Sequence, residues 1–238
     1  MLKVIITDKL SDLGMEVFKR EKEIEAVEFI GKTPEELKAV LGDYDGWVIR
    51  SGTTATADLI KAATKLKVIG RAGVGVDNVD LEAATKRGII VMNTPDGNTI
   101  STSEHTIAMM MAMARKIPQA QQSLKEKKWE RSKFTGCELN EKVLGVVGLG
   151  RIGSNVARKA IGLGMRIIAY DPFVDPAKNK GHEFEIVTLD DVIKRADFIT
   201  VHTPLTKETK GLLGAKQIAQ MKDGVRLINC ARGGIIDE

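Results

Sequence analysis

The chain has 238 residues, 43% of them hydrophobic and 29% charged, with a formal net charge of +4. This length fits two domains, and the balance of residue types is that of a globular protein rather than of a disordered chain. The positive charges are scattered rather than clustered, which argues against a nucleic-acid partner. Two cysteines, Cys137 and Cys230, are too few and too far apart for a disulfide framework or a metal site.

The sequence carries no signal for export or for membrane insertion. Its N-terminus enters a strand pattern directly, without the anatomy of a signal peptide. No apolar run approaches the roughly 20 residues that span a bilayer. We therefore expect a cytoplasmic protein without a membrane partner.

Short β-type runs alternate with amphipathic helical runs through residues 3–95. The predicted strands are 3–7, 26–30, 46–50, 67–70 and 89–93, and the predicted helices are 14–20, one from Pro34, 57–66 and 81–87. Alternation of this kind favours a parallel sheet covered by helices on both faces. Arg50 and Arg71 each stand at a strand's carboxyl end, where such sheets bind ligands, so both could point into one cleft.

A turn cluster at residues 94–98 is a candidate crossover between two domains, 1–97 and 98–238. A long helix is predicted next, over 101–115, with Ser101 as its N-cap. One face of this helix is apolar and predicts either core packing or a dimer contact: Ile107, Met110, Met111 and Ala114.

A glycine-rich turn between a strand and a helix dominates the second half of the chain. The order is strand Val143–Val147, the spacing G-x-G-x-x-G over 148–153, a helix predicted over 154–163, strand 166–170, and then Asp171. Three glycines in an ordinary βα turn would explain the motif alone. The two strands and the acid make the dinucleotide-binding interpretation the stronger one.

Each part of this motif has a physical task in that interpretation. Gly148 allows the sharp turn, Gly150 lets a pyrophosphate approach the backbone, and Gly153 lets the helix pack closely on the strand. The helix N-terminus offers free N–H groups and a favourable dipole for phosphate. Asp171 would accept hydrogen bonds from the adenosine ribose and repel a 2′-phosphate. We therefore expect NAD rather than NADP.

The remaining elements extend a second parallel sheet. Helix 189–194, strand 197–202, helix 215–221 and strand 225–229 follow, and the last strand delivers Cys-Ala-Arg-Gly-Gly over 230–234. We expect two doubly wound parallel-sheet domains. We also expect the second sheet to need at least one more helix and strand than these residues supply.

Several motifs together are similar to those of one family. They are 71–78 (Arg-Ala-Gly-Val-Gly-Val-Asp-Asn), 93–98 (Asn-Thr-Pro-Asp-Gly-Asn), 128–134 (Lys-Trp-Glu-Arg-Ser-Lys-Phe), 148–153 (Gly-Leu-Gly-Arg-Ile-Gly), 201–205 (Val-His-Thr-Pro-Leu) and 229–234 (Asn-Cys-Ala-Arg-Gly-Gly). Over its whole length the chain resembles the D-isomer-specific 2-hydroxyacid dehydrogenases. The resemblance implies a flavodoxin-like substrate domain, completed by a returning C-terminal segment, and a Rossmann NAD domain.

The resemblance also implies site residues. It assigns NAD contacts to Gly148, Gly150, Arg151, Ile152, Gly153, Asp171, His202, Thr203, Pro204, Cys230, Ala231 and Arg232. It assigns substrate contacts to Arg50, Arg71, Gly73, Val74, Gly75 and Asn98. Arg50, Arg71 and Asn98 would reach a phosphate-bearing tail. Some relatives have Thr in place of Val74, so only backbone contacts carry over there.

Arg232 fits hydroxy-acid chemistry on its own terms as the catalytic residue. A planar, permanently charged guanidinium can hold a carboxylate at two points and polarise a forming carbonyl. A structural ion pair or phosphate neutralisation is the alternative. The family also uses a His oriented by a Glu as proton acceptor, and both lie downstream of this arginine. His105, His182 and His202 do not stand in that context.

The leading functional hypothesis is a cytoplasmic, NAD-dependent oxidation of D-3-phosphoglycerate to 3-phosphohydroxypyruvate, the first step of serine biosynthesis. The segment 128–134 is most similar to family members with that activity. The alternatives are another D-2-hydroxy acid, as in glyoxylate or hydroxypyruvate reduction, and a non-catalytic NAD-binding scaffold. The expected partners are a small anionic 2-hydroxy acid and further copies of the chain in a homodimer or tetramer.

Overall fold

The computed structural model describes residues 1–175 and 184–238, so His182 lies outside the described residues. The chain divides into two compact units, Met1–Asn98 and Thr99–Glu238. Each unit contains a five-stranded parallel sheet, which confirms the predicted fold class. Within the described ranges, no helix is both long and apolar enough to cross a membrane. Those ranges also contain no group of three or more acidic, His or Cys side chains that could hold a metal ion.

The first unit is a doubly wound sheet in the flavodoxin-like order. Its strands are β1 (Leu2–Ile6), β2 (Ile24–Glu28), β3 (Gly46–Ile49), β4 (Val68–Arg71) and β5 (Ile90–Asn93). Its helices are α1 (Asp12–Arg20), α2 (Pro34–Val40), α3 (Ala57–Ala62) and α4 (Leu81–Lys86). The strand order is β2-β1-β3-β4-β5 and every pair is parallel. The direction of winding changes between β1 and β3, the place where such sheets bind ligands.

The core of the first unit is formed by apolar side chains of the sheet and its helices, among them that of Trp47. This indole is fully buried, and its Nε1–H donates to Thr7 Oγ1 at 3.0 Å, which satisfies its polar edge. Helix α2 begins with a capping box: Thr33 Oγ1 accepts from the Glu36 N–H, and the Glu36 carboxylate accepts from the Thr33 N–H. This local signal was sufficient to predict the start of α2.

The second unit has the Rossmann order over its first five strands. The strands are β6 (Val143–Val147), β7 (Arg166–Tyr170), β8 (Glu185–Ile186), β9 (Phe198–Val201) and β10 (Arg226–Asn229). The helices are α5 (Thr99–Ala114), α6 (Ile117–Lys125), α7 (Arg151–Ile161), α8 (Leu189–Arg195) and α9 (Ala215–Ile218). The order β10-β9-β6-β7-β8 places the switch point between β6 and β9.

Helix α5 begins two residues earlier than predicted, at Thr99, so the prediction of Ser101 as its N-cap was wrong. Its predicted apolar face does pack in the core of the second unit. Met110 and Ala114 are buried there, and Ile107 and Met111 contact the same core. That face of α5 is therefore core.

Candidate active site

The glycine-rich turn, residues 148–153, is shaped by two close backbone approaches. Gly148 has φ +96° and its N–H donates to the Tyr170 carbonyl at 2.8 Å, which links the ends of β6 and β7. A Cβ at Gly148 would lie 2.8 Å from the His202 carbonyl oxygen. A Cβ at Gly153 would overlap the carbonyl oxygen of Gly148 itself. Both positions therefore require glycine.

Gly150 has a different environment, because a Cβ there would meet no atom within 4 Å. It is the N-cap residue of α7 and makes no side-chain capping hydrogen bond. The prediction that this helix starts at Ser154 was wrong, since α7 starts at Arg151. The helix N-terminus consequently lies inside the glycine motif and faces open space. Its N–H groups and dipole can hold an anion there.

Asp171, at the carboxyl end of β7, is bonded to the glycine-rich turn. Its Oδ2 accepts from the Leu149 N–H at 2.8 Å, and its Oδ1 accepts from the Phe173 N–H at 2.9 Å. The Leu149 carbonyl accepts from Ser154 Oγ at 2.8 Å, so the peptide groups on both sides of Leu149 are held. Each carboxylate oxygen can accept a further hydrogen bond, and a ribose hydroxyl could donate it.

The carboxyl end of β9 carries two buried polar atoms without a hydrogen-bond partner in the described part of the chain: Nδ1 of His202 and Oγ1 of Thr203. His202 Nε2 lies 3.0 Å from Thr200 Oγ1, and the backbone N–H of His202 donates to the Val147 carbonyl at 2.7 Å. Burial lowers the pKa of His202 to about 4, so its imidazole is neutral at pH 7. Pro204 follows and is exposed. Unsatisfied buried polar atoms beside the glycine-rich turn fit a site completed by a ligand.

The carboxyl end of β10 presents Arg232 on a loop closed by the side chain of Asn229. Asn229 Oδ1 accepts from the Ala231 N–H at 3.0 Å, and Nδ2 donates to the Arg232 carbonyl at 2.8 Å. Cys230 is a half-buried free thiol. It lines a cleft of about 650 Å³ together with His105, which is exposed on α5. In the sequence, His105 stands outside the family's catalytic context, and its place in this cleft was not predicted.

In the first unit, Arg50 and Arg71 lie in one cleft of about 720 Å³, together with Gly73 and Asn98. This cavity, called the Arg50 cleft below, opens at the carboxyl ends of β3 and β4. The parallel sheet brings the two arginines together because their strands are hydrogen-bonded neighbours. Two guanidinium groups and an amide in one cleft are suited to bind an anion with several oxygens.

The Arg71 guanidinium lies directly over the backbone of Gly73, where a Cβ would overlap Arg71 Nη1. Arg71 Nε is buried and has no hydrogen-bond partner among the described residues. Val74 and Gly75 follow on the same loop but are not brought to the wall of the Arg50 cleft. The Val74 carbonyl accepts from Asn93 Nδ2 at 2.6 Å, which fixes this loop to the end of β5.

Two doubly wound parallel sheets, one with a glycine-rich turn, an open helix N-terminus and an acid after the next strand, define a dinucleotide-binding α/β protein of the dehydrogenase class. Residues 107–238 match the family model described as D-isomer specific 2-hydroxyacid dehydrogenase, NAD binding domain. The chain belongs to the D-isomer specific 2-hydroxyacid dehydrogenase family. Its cofactor is accordingly NAD, and the open Gly150 and the unsatisfied atoms at 202 and 203 fit that ligand.

The chain is similar to curated proteins named D-3-phosphoglycerate dehydrogenase. It is 51% identical to the one from Homo sapiens over 236 residues, which covers 99% of this chain and 44% of the relative. It is 49% identical to the one from Bacillus subtilis over 238 residues, with 100% and 45% covered. The chain thus spans less than half the length of these relatives.

A solved structure gives the same result for the fold. The NAD⁺-bound 3-phosphoglycerate dehydrogenase of Entamoeba histolytica is 33% identical, with a TM-score of 0.82. The match covers 99% of this chain and 74% of that chain.

Proposed function

We propose that the protein containing this chain is an NAD-dependent dehydrogenase that oxidises D-3-phosphoglycerate to 3-phosphohydroxypyruvate, the first step of serine biosynthesis. The observation that carries the proposal is the pair of arginines in the Arg50 cleft. A phosphate offers two guanidinium groups more charge and more acceptor oxygens than an unphosphorylated tail does. The similarity to D-3-phosphoglycerate dehydrogenases from two distant organisms supports the same substrate.

The second unit would hold the cofactor through groups at four strand ends. The N–H groups at the start of α7 would bind the pyrophosphate, and Asp171 would bind the adenosine ribose. His202, Thr203 and Pro204 would line the adenine, and Cys230 and Ala231 would approach the nicotinamide. The chemistry that a bound NAD supplies is acceptance of the hydride from the substrate's C2.

Arg232 is the catalytic residue that we assign to this chain. Its guanidinium would hold the substrate carboxylate with two parallel N–H donors and stabilise charge on the oxygen that becomes the carbonyl. The loop that carries Arg232 is held by two hydrogen bonds from the side chain of Asn229. The Arg232 guanidinium also donates to the Ala231 carbonyl at 2.9 Å. A group held in place in this way needs little reorganisation during the reaction, which is the condition for effective electrostatic stabilisation.

In the first unit, Arg50, Arg71 and Asn98 would bind the phosphate-bearing end of the substrate. The backbone of Gly73, Val74 and Gly75 would bind its carboxylate, as the family resemblance implies. Each guanidinium offers five N–H donors for this role.

The test compares two substrates that differ only in the phosphate, D-3-phosphoglycerate and D-glycerate, in the protein expressed from its complete gene. Arg50→Ala and Arg71→Ala should each raise KM about 10-fold or more for phosphoglycerate and change it little for glycerate, since a charged hydrogen bond is worth about 1.5–3 kcal/mol. Arg20→Ala is the matched control, because Arg20 is exposed and pairs only weakly with Glu16.

The outcome also separates the alternatives. Equal losses on both substrates would exclude the phosphate-binding role and favour another D-2-hydroxy acid, such as glyoxylate or hydroxypyruvate in the reductive direction. NAD binding by calorimetry without turnover of any hydroxy acid would favour the non-catalytic scaffold.

We further propose that the protein is a cytoplasmic homodimer or tetramer. Large apolar side chains are exposed along α5, α6 and the segment after it: Met109, Met113, Ile117, Leu124 and Trp129. Exposed apolar area of this kind favours association with a second copy. Gel filtration with light scattering tests the assembly, and a monomer across the micromolar range would exclude it. Cell fractionation tests the location.

A further inference from the structure

The loop of residues 50–53, called the Arg50 loop here, is held by two side chains from distant parts of the first unit. Asp8 Oδ2 accepts from the backbone N–H of Arg50 at 2.6 Å and of Thr53 at 3.0 Å. Asn78 Nδ2 donates to the backbone carbonyl of Arg50 at 2.6 Å and of Thr53 at 2.5 Å. The backbone N–H and the backbone carbonyl of both Arg50 and Thr53 are therefore hydrogen-bonded.

The two side chains have complementary chemistry that neither could supply alone. An ionised carboxylate only accepts hydrogen bonds, and it serves both N–H groups. An amide NH₂ has two donors, and it serves both carbonyls. Gly52 permits this arrangement, because a Cβ there would overlap Asp8 Oδ1. A longer residue at 52 would keep the carboxylate from closing over the loop.

Asn78 is itself fixed to the segment that directly follows the Arg50 loop. Its carbonyl accepts from the Ala55 N–H at 2.8 Å, directly beyond the Arg50 loop, and Ala55 pairs with Val79 in a parallel bridge. Asn78 also ends the loop that begins after Arg71. It consequently connects the two segments that deliver the arginines of the Arg50 cleft.

We propose that Asp8 and Asn78 are positioning residues that set the preference for a phosphorylated substrate by fixing the backbone of Arg50. The Arg50 side chain is restrained further, because its Nη1 donates to the Lys9 carbonyl at 3.2 Å. With its backbone and one guanidinium nitrogen held, Arg50 presents its remaining donors to the cleft in one place. The identity of the substrate rests on the function proposed above, whereas the hydrogen bonds around the Arg50 loop do not.

The experiment measures kcat/KM for D-3-phosphoglycerate and D-glycerate in the full-length protein carrying Asn78→Ala, Arg50→Ala or both. We expect Asn78→Ala to lower kcat/KM for phosphoglycerate about 10-fold, mainly through KM, and to change the value for glycerate less than about 2-fold. Displacing a binding group by about 1 Å can cost up to about 100-fold. In the Arg50→Ala background, Asn78→Ala should lower kcat/KM for phosphoglycerate by less than a further factor of about 2, because the side chain that Asn78 positions is gone.

A second pair of variants supplies a matched control at the other side of the loop. Asp8→Asn keeps an oxygen that accepts hydrogen bonds, whereas Asp8→Ala removes it. We expect Asp8→Ala to lose the preference for phosphoglycerate as Asn78→Ala does, and Asp8→Asn to keep most of that preference. Hydrogen exchange of the peptide containing residues 50–53 should be faster in Asp8→Ala than in Asp8→Asn, and this readout needs no turnover.

Any one of the following results would overturn the inference. They are an equal loss on both substrates, a full Asn78→Ala effect that persists without Arg50, and unchanged exchange at 50–53 in Asp8→Ala. A wild-type protein without preference for phosphoglycerate would instead overturn the proposed function together with the inference. Loss of preference in Arg50→Ala but not in Asn78→Ala or Asp8→Ala would overturn the inference alone.

Discussion

Substitution by alanine should affect different properties at two glycines of the same motif. A Cβ at Gly153 would overlap the Gly148 carbonyl oxygen, whereas a Cβ at Gly150 would meet no atom within 4 Å. Gly150 has φ −63°, which alanine adopts without strain. We therefore expect Gly153→Ala to damage the fold and Gly150→Ala to damage only the binding of NAD.

The magnitudes follow from what each methyl group displaces. At Gly153 the obstacle is backbone, so α7 must move away from β6, and overpacking of this kind costs about 1–3 kcal/mol or more. At about 2–4 °C per kcal/mol for a chain of this size, Tm should fall by about 2–12 °C. At Gly150 the methyl group would occupy the space proposed for the pyrophosphate. A comparable steric cost would raise the Kd for NAD about 5- to 150-fold.

Differential scanning calorimetry and isothermal titration with NAD measure the two effects separately. Gly150→Ala should keep Tm within about 2 °C of the wild type, because exposed substitutions usually change stability by less than 0.5 kcal/mol. Normal NAD affinity in Gly150→Ala would refute the placement of the pyrophosphate at this residue. A normal Tm in Gly153→Ala would refute the argument from close packing.

Three further variants test neighbouring parts of the site. Asp171→Ala should raise the Kd for NAD about 10-fold or more while leaving that for NADP unchanged or lower, because it removes the ribose acceptor and the negative charge; titration with both dinucleotides measures it. As pH falls from 6.5 to about 4, His202 takes up a proton in the unfolded chain before it does so in the folded protein. The free energy of unfolding should therefore drop by up to about 3 kcal/mol, and urea unfolding of His202→Asn should not show this drop. Asn229→Ala should lower kcat/KM roughly 10-fold in the wild type but add little to Arg232→Ala, and additive losses would show that Asn229 acts elsewhere.

Those parts of the site that depend on local rules could be predicted from the sequence. Gly148 and Gly153 were predicted from their spacing together with the flanking strands and Asp171, since a tight turn and a close helix each need a residue without a side chain. The meeting of Arg50 and Arg71 in one cleft followed from the rule that parallel strands deliver their carboxyl ends to one edge. Neither inference needs any knowledge of side-chain packing.

The start of α7 could not be predicted, because its N-cap is a glycine and gives no side-chain signal. The predicted start at Ser154 therefore lay three residues too far along the chain. In the structure Ser154 lies inside the helix, and its hydroxyl donates back to the Leu149 carbonyl. The helix N-terminus, where free N–H groups and the dipole favour phosphate, therefore lies among the glycines.

The hydrogen bonds around the Arg50 loop were also invisible in the sequence. Asp8 bonds to a residue 42 positions away and Asn78 to one 28 positions away. An Asp after a strand and an Asn in a loop are common turn residues, which explains why neither was considered for the site. Only the packing of β1, β3 and the segment after β4 brings the three segments together.

The buried indole of Trp47 has a consequence for spectroscopy. The chain contains two tryptophans, one in each unit, and they differ sharply in environment: Trp47 is fully buried and Trp129 is 75% exposed. Indole fluorescence shifts to longer wavelength in polar surroundings, so Trp129 should emit like a solvated indole even in the folded protein. The change in emission on unfolding should therefore come mainly from Trp47.

A Trp129→Phe variant would leave a single fluorophore that reports on the first unit. Its emission maximum should lie to the blue of the wild-type maximum and shift to the red as the first unit opens. Compared with circular dichroism of the whole chain in the same denaturant series, that signal would show whether the two sheets melt as one cooperative block or in succession.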